Sequence, residues 1–149
     1  MKATITAIGR YLYLVFSWVF VAGVIYQVYL TGLAAVAKTQ GWGPHIEMGH
    51  TLALPLLGMA LTMYLGRLPG KVKVFTWLLF LTYILQVYVL VIFLRRSAPY
   101  LAALHPVLAL VDFTIGIWLA VQALKSLRSA GASKEEAPET NNNPVLQGE

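Results

Sequence analysis

The chain has 149 residues, of which 58% are hydrophobic and 11% charged, with a mean hydropathy of +0.69. Soluble domains carry about 25% charged residues, so this composition points to a membrane. The absence of cysteine excludes disulfides, thiolate metal sites and thioether-linked haem. The net charge of +5 is no nucleic-acid signal, because the basic residues gather at the ends of apolar runs.

Four apolar runs follow in chain order, over residues 11–37, 45–66, 74–94 and 101–124. Each meets the roughly 20 residues needed to cross a bilayer. A span must be helical there, since its backbone has no water to bond. The connections carry breakers: "GWGP", "RLPGK" and "RRSAPY". The first run is too long for a secretory h-region of roughly 7–15 residues and reads as a retained helix. The fold expected is all-α, an integral membrane four-helix bundle over residues 1–128. Residues 129–149 are polar and mildly acidic and read as a disordered tail. Lys2, Arg10, Arg67, Lys71, Lys73, Lys125, Arg128 and Lys134 fall on one side, against Lys38, Arg95 and Arg96 on the other. This bias predicts cytoplasmic termini in a cell membrane.

The chain has three histidines, in "GPHIEMGH" and "LHP", both at the mouths of apolar runs. Counted from the starts of the second and fourth runs, His50 and His105 lie roughly 6–9 Å deep, with His45 about a turn higher. Gln27 in "IYQVYL" and Gln86 in "ILQVYV" occupy matching places in the first and third runs. The pattern suggests two repeated helix pairs about an axis along the membrane normal. Under that symmetry His50 and His105 face each other, which suits the axial positions of a haem iron. Gln27 and Gln86 would orient the imidazoles, and Arg95 and Arg96 would meet haem propionates. His45 reads as an interface residue. Asp112 lies two turns below His105 on nearly the same face. Its candidate roles are a proton relay and a hydrogen bond to a facing glutamine.

The glutamine of span one, "GH" of span two, the glutamine of span three and "LHP" of span four resemble a group of small bacterial four-span proteins. That group is classed as a domain of unknown function. The pattern's asparagine after "HP" is replaced here by Leu108. A more distant likeness is to half of haem A synthase and to transmembrane b-type cytochromes. It implies His50 and His105 as axial ligands of haem b and nothing about the synthase reaction.

The leading expectation is therefore a membrane b-type haem protein, a candidate electron carrier and no enzyme by itself. Its partners would be the lipid bilayer and a quinone or redox membrane complex, not nucleic acid. A cofactor-free assembly subunit, a small proton or solute pathway, and a (bacterio)chlorophyll ligated by one histidine are the competing readings.

Overall fold

The computed structural model describes residues 2–135, with side chains over residues 3–129. Helix α1 (Lys2–Thr31) ends in a π-helical turn, Gly32–Val36. The second span is α2 (Gly43–Thr51) followed by α3 (Ala53–Leu65). The third is α4 (Gly70–Ile84), which widens into a nine-residue π-helical run, Leu85–Phe93, and closes with α5 (Leu94–Ser97). A short α6 (Pro99–Ala102) precedes the long α7 (His105–Glu135). No strand occurs among the described residues. The last helix thus continues to Glu135, beyond the expected start of the tail at residue 129. The rest of that expected tail, residues 136–149, lies outside the described residues.

The breaks follow from proline chemistry. A proline inside a helix removes one N–H and clashes with the carbonyl four residues back. Pro55 opposes Thr51, and the second span is interrupted at Leu52. Pro106 opposes Ala102, and the fourth span turns at Ala103–Leu104 before restarting at His105. Pro44 sits in the first turn of α2, where its missing N–H costs nothing.

Four helical stretches are long and apolar enough to cross a membrane: Ala3–Val36, Gly43–Leu65, Gly70–Ser97 and Pro99–Ser129. The first packs on the second and fourth, and the third packs on the fourth and second. Spans one and three therefore share one diagonal of a square, and spans two and four the other. Tyr13, Phe20, Leu56, Met59, Met63, Leu79 and Leu119 fill the centre. Leu54, Leu57, Leu61, Val74 and Leu81 stay exposed, leaving an oily outer surface suited to acyl chains.

The bundle is tightest at the end away from the histidines. Arg10 donates through Nε to the Gly66 carbonyl (3.0 Å) and through a guanidinium N–H to the Ser126 carbonyl (3.0 Å). One cation thus ties spans one, two and four. Gly9 lets the backbone of span one lie against Gly66: a Cβ built there would come 2.4 Å from the Gly66 nitrogen. Just beyond, Arg67 takes a left-handed φ of 48° while Leu68 N–H bonds the Met63 carbonyl, and Arg67 N–H the Tyr64 carbonyl. This is a Schellman stop with arginine in the position that glycine usually fills.

A Gly9→Ala variant is expected to lose about 1–3 kcal/mol, because its methyl meets backbone that cannot step aside. Gly70→Ala meets nothing within 4 Å and should be neutral or stabilising by about 0.5–1 kcal/mol. Thermal unfolding of both proteins in one detergent checks the contrast.

Candidate functional site: paired imidazoles in a cavity between the spans

At the other end the helices part around a cavity of about 940 Å³. All three histidines line it, with Gln27, Thr31, Gly49, Tyr83, Gln86 and Ala109, and with Arg95 and Arg96. Its remaining lining is aliphatic and aromatic, including Val24, Leu52, Val87 and Phe113.

The imidazole that packs on His105 is that of His45, with ring centroids 6.2 Å apart and planes at 80°. The ring contact thus joins His105 to His45, where the sequence expectation set His50 opposite His105. The reason is the Pro106 break. Depth has to be counted from the restart of the helix at His105, not from residue 101. His105 opens α7 and His45 is the third residue of α2, so these two are level. His50 lies deeper, exposed to the cavity, with its ring 5.6 Å from that of Tyr88.

Both members of the pair are held in the same way. His105 Nδ1 lies 3.2 Å from the Gln86 carbonyl oxygen. His45 Nδ1 lies 3.4 Å from the Gln27 carbonyl and 3.1 Å from the Thr31 hydroxyl, which itself donates to Gln27 (3.0 Å). A carbonyl only accepts, so the Gln86 bond places the hydrogen of His105 on Nδ1. At His45 the same tautomer goes with a Thr31 hydroxyl that donates to the Gln27 carbonyl. In the neutral imidazole this leaves Nε2 with a lone pair, the arrangement that a metal-ligating histidine takes when a backbone carbonyl orients it. The π-helical turn and run begin close by, at Gly32 and Leu85, and such widened turns are frequent at functional sites.

The glutamines thus act first through their backbone. Their side chains add two buried, unpartnered acceptors, Gln27 Oε1 and Gln86 Oε1. Gln86 Nε2 donates to Asp112 Oδ2 (2.7 Å), the facing-glutamine bond that the sequence suggested. Asp112 is fully buried, and its Oδ1 is bonded to the Thr82 hydroxyl. Tyr83 donates to the Gly49 carbonyl (2.6 Å), pinning span three to span two beneath the cavity. Thr31, Thr82, Tyr83 and Tyr88 were not singled out from sequence. They are common residues in apolar helices, and only the three-dimensional partners give them meaning. Among the described residues no group of three or more His, Cys, Asp or Glu could hold a metal ion. A metal here would need ligands from outside the protein, such as a macrocycle's nitrogens.

The repeat is visible in contacts rather than in identities. A shift of 59 positions maps Gln27 onto Gln86, and a shift of 60 maps His45 onto His105. The same shifts carry the Phe16–Gly58 contact onto the Phe75–Trp118 ring pair, tilted at 43°. They carry Gly66 onto Ser126, the two carbonyls that Arg10 bonds. They also carry the close packing of Leu52 on Gly23 onto the Asp112–Thr82 hydrogen bond.

The orientation of the pair has a direct signature. In ¹⁵N spectra of the detergent-solubilised protein, neutral His45 and His105 should appear as the Nδ1–H tautomer. A population of the Nε2–H tautomer at either position would contradict the carbonyl bonds. Thr31→Val should perturb His45 and leave His105 unchanged.

Residues 27–93 match the model of a family of unknown function, DUF6220. The matched stretch begins at Gln27, includes His45, His50 and Gln86, and stops before His105. Neither a curated protein nor a solved structure matches the chain. The similarity thus agrees with a likeness to an uncharacterised family, and no comparison points to haem A synthase or to a b-type cytochrome.

Proposed function

We propose that the protein is a membrane electron carrier that holds one b-type haem between His45 and His105. The carrying observation is the pair itself. The ring centroids lie 6.2 Å apart, and a separation on the order of 6 Å would suit two imidazoles that share one haem iron. Both rings donate Nδ1–H to backbone-anchored acceptors and keep Nε2 for a ligand.

The rest of the lining fits the group. A volume of about 940 Å³ falls in the ~300–1,000 Å³ range of cofactor sites, and the apolar lining with few polar groups is also typical of them. Gly49 and Ala109 leave room for a flat ring beside the helices. Arg95 and Arg96 at the cavity offer guanidinium groups to carboxylates, the role that haem propionates need. Haem would supply one-electron exchange at its iron. The protein would fix the two imidazoles, limit water and balance the charge. The electron partners that suit a buried carrier in a bilayer are a quinone and a redox membrane complex. His50 has no ligand role in this reading.

The basic bias, eight residues against three, supports an extracytoplasmic histidine end. Cysteine labels at Gly41 should react in intact cells and those at Lys71 should be shielded. The reverse pattern would move the site to the cytoplasmic face.

Protein purified from haem-replete cells should show a Soret band and, on reduction, the sharp α band of a low-spin six-coordinate haem. His45→Ala and His105→Ala should each abolish that spectrum, and His50→Ala should retain it. Folded protein that stays colourless after haem addition sinks the proposal, and a cofactor-free membrane subunit becomes the better account. A band at chlorophyll wavelengths would exchange the ligand class.

A further inference from the structure

Among the buried positions at which the two halves of the bundle differ, one exchanges an apolar residue for an acid. In the first half Leu52 packs on Gly23. In the second half the same place holds Asp112 and Thr82, hydrogen-bonded to each other. The apolar pair shows that the fold fills this space without polar groups. An ionisable group buried inside a membrane bundle is expensive and is functional by default, so packing does not account for Asp112.

The hydrogen bonds around Asp112 suit two protonation states. The Thr82 hydroxyl has one proton and three acceptors in reach: the Leu78 carbonyl (2.9 Å), the Leu79 carbonyl (3.1 Å) and Asp112 Oδ1. With Asp112 as an acid, its O–H donates to the Thr82 oxygen while Thr82 donates back to Leu78. With Asp112 as a carboxylate, the Thr82 hydroxyl turns and donates to Oδ1. Gln86 Nε2 donates to Oδ2 in both states. Only one hydroxyl rotates between them. Gln86 also joins this carboxyl to the cavity, since its own carbonyl accepts the Nδ1–H of His105.

We propose that Asp112 is an internal proton-loading site whose occupancy is coupled, through Gln86, to the charge of the ligand held at His105. The coupling rests on the haem reading; the proton site does not. When the bound ligand accepts one electron from a one-electron reductant, Asp112 takes one proton from water onto Oδ1, and the charge of the site is unchanged. Loss of the electron releases the proton. The titratable neighbours are few. Tyr83 stands on span three beside Gln86 and Thr82, and His105 lies two turns away on the same helix. Span one, the other helix packed on α7, has no charged side chain between Arg10 and Lys38.

The test uses the full chain in nanodiscs, as wild type, as Asp112→Asn, and as Thr82→Gly/Asp112→Leu, which copies the packing of the first half. The infrared difference between wild type and Asp112→Asn, which cancels the bands of the five glutamates and the C-terminus, should show a protonated-carboxyl C=O band that disappears as pH rises. Reconstituted with haem, the wild type should have a midpoint potential that falls as pH rises. Each tenfold change in proton activity should shift the one-electron equilibrium by up to tenfold, or 59 mV. Asp112→Asn should lose that slope while its six-coordinate spectrum stays unchanged. A difference spectrum with no carboxyl band, or with one that does not titrate, overturns the proton site. An equal slope in wild type and variants overturns the coupling. If no haem binds, the haem reading and the coupling fall together, and the infrared measurement still decides the proton site.

Discussion

Two backbone carbonyls, those of Gln27 and Gln86, are the constraint on which the site depends. Each lies within hydrogen-bond distance of Nδ1 of the histidine near the start of the following span, 3.4 Å from His45 and 3.2 Å from His105. In water an imidazole could turn to solvent and exchange partners freely. Inside a bilayer an unbonded N–H costs several kcal/mol, so the carbonyl fixes both the tautomer and the ring direction. The proline breaks before His105 and after Thr51, together with the π-helical turn and run, bring the two helix mouths to the height at which the rings meet. Arg10 and the Gly9–Gly66 approach close the opposite end, so the square is tight below and open above.

The bundle's two helix pairs carry matching contacts and differ at particular places. Where the halves agree, they build geometry: a glutamine carbonyl, an imidazole and an aromatic ring packed on the neighbouring helix. Where they differ, they build asymmetry. Leu52 against Gly23 is dry, and Asp112 against Thr82 is a buried acid. A symmetric cage suits a flat ligand with two axial positions. A single acid on one side gives that cage a place for one proton, which is the proposed use of the asymmetry.

Much of this was legible in the sequence. Four runs of lipid-compatible residues dictated four helices, and the composition left no soluble alternative. The paired "QVY" motifs marked the repeat, and the seven-residue spacing placed Asp112 below His105 and facing a glutamine. The histidine pairing was not legible, because it turns on a local break. Apolar residues continue through 101–104, so hydropathy alone sees one uninterrupted span there. Only the clash of Pro106 with the Ala102 carbonyl shifts the start of the helix to His105 and the level partner from His50 to His45. The deeper evidence for the repeat was hidden for another reason. Gly58 and Trp118, or Gly23 and Thr82, share a place in space but not a chemistry.

A high-resolution structure of the haem-loaded protein in nanodiscs decides the matter. The expected result is a macrocycle in the cavity, held through Nε2 of His45 and of His105, with its carboxylates at Arg95 and Arg96. A macrocycle ligated by His50, or a cavity that holds only acyl chains after haem loading, would contradict it.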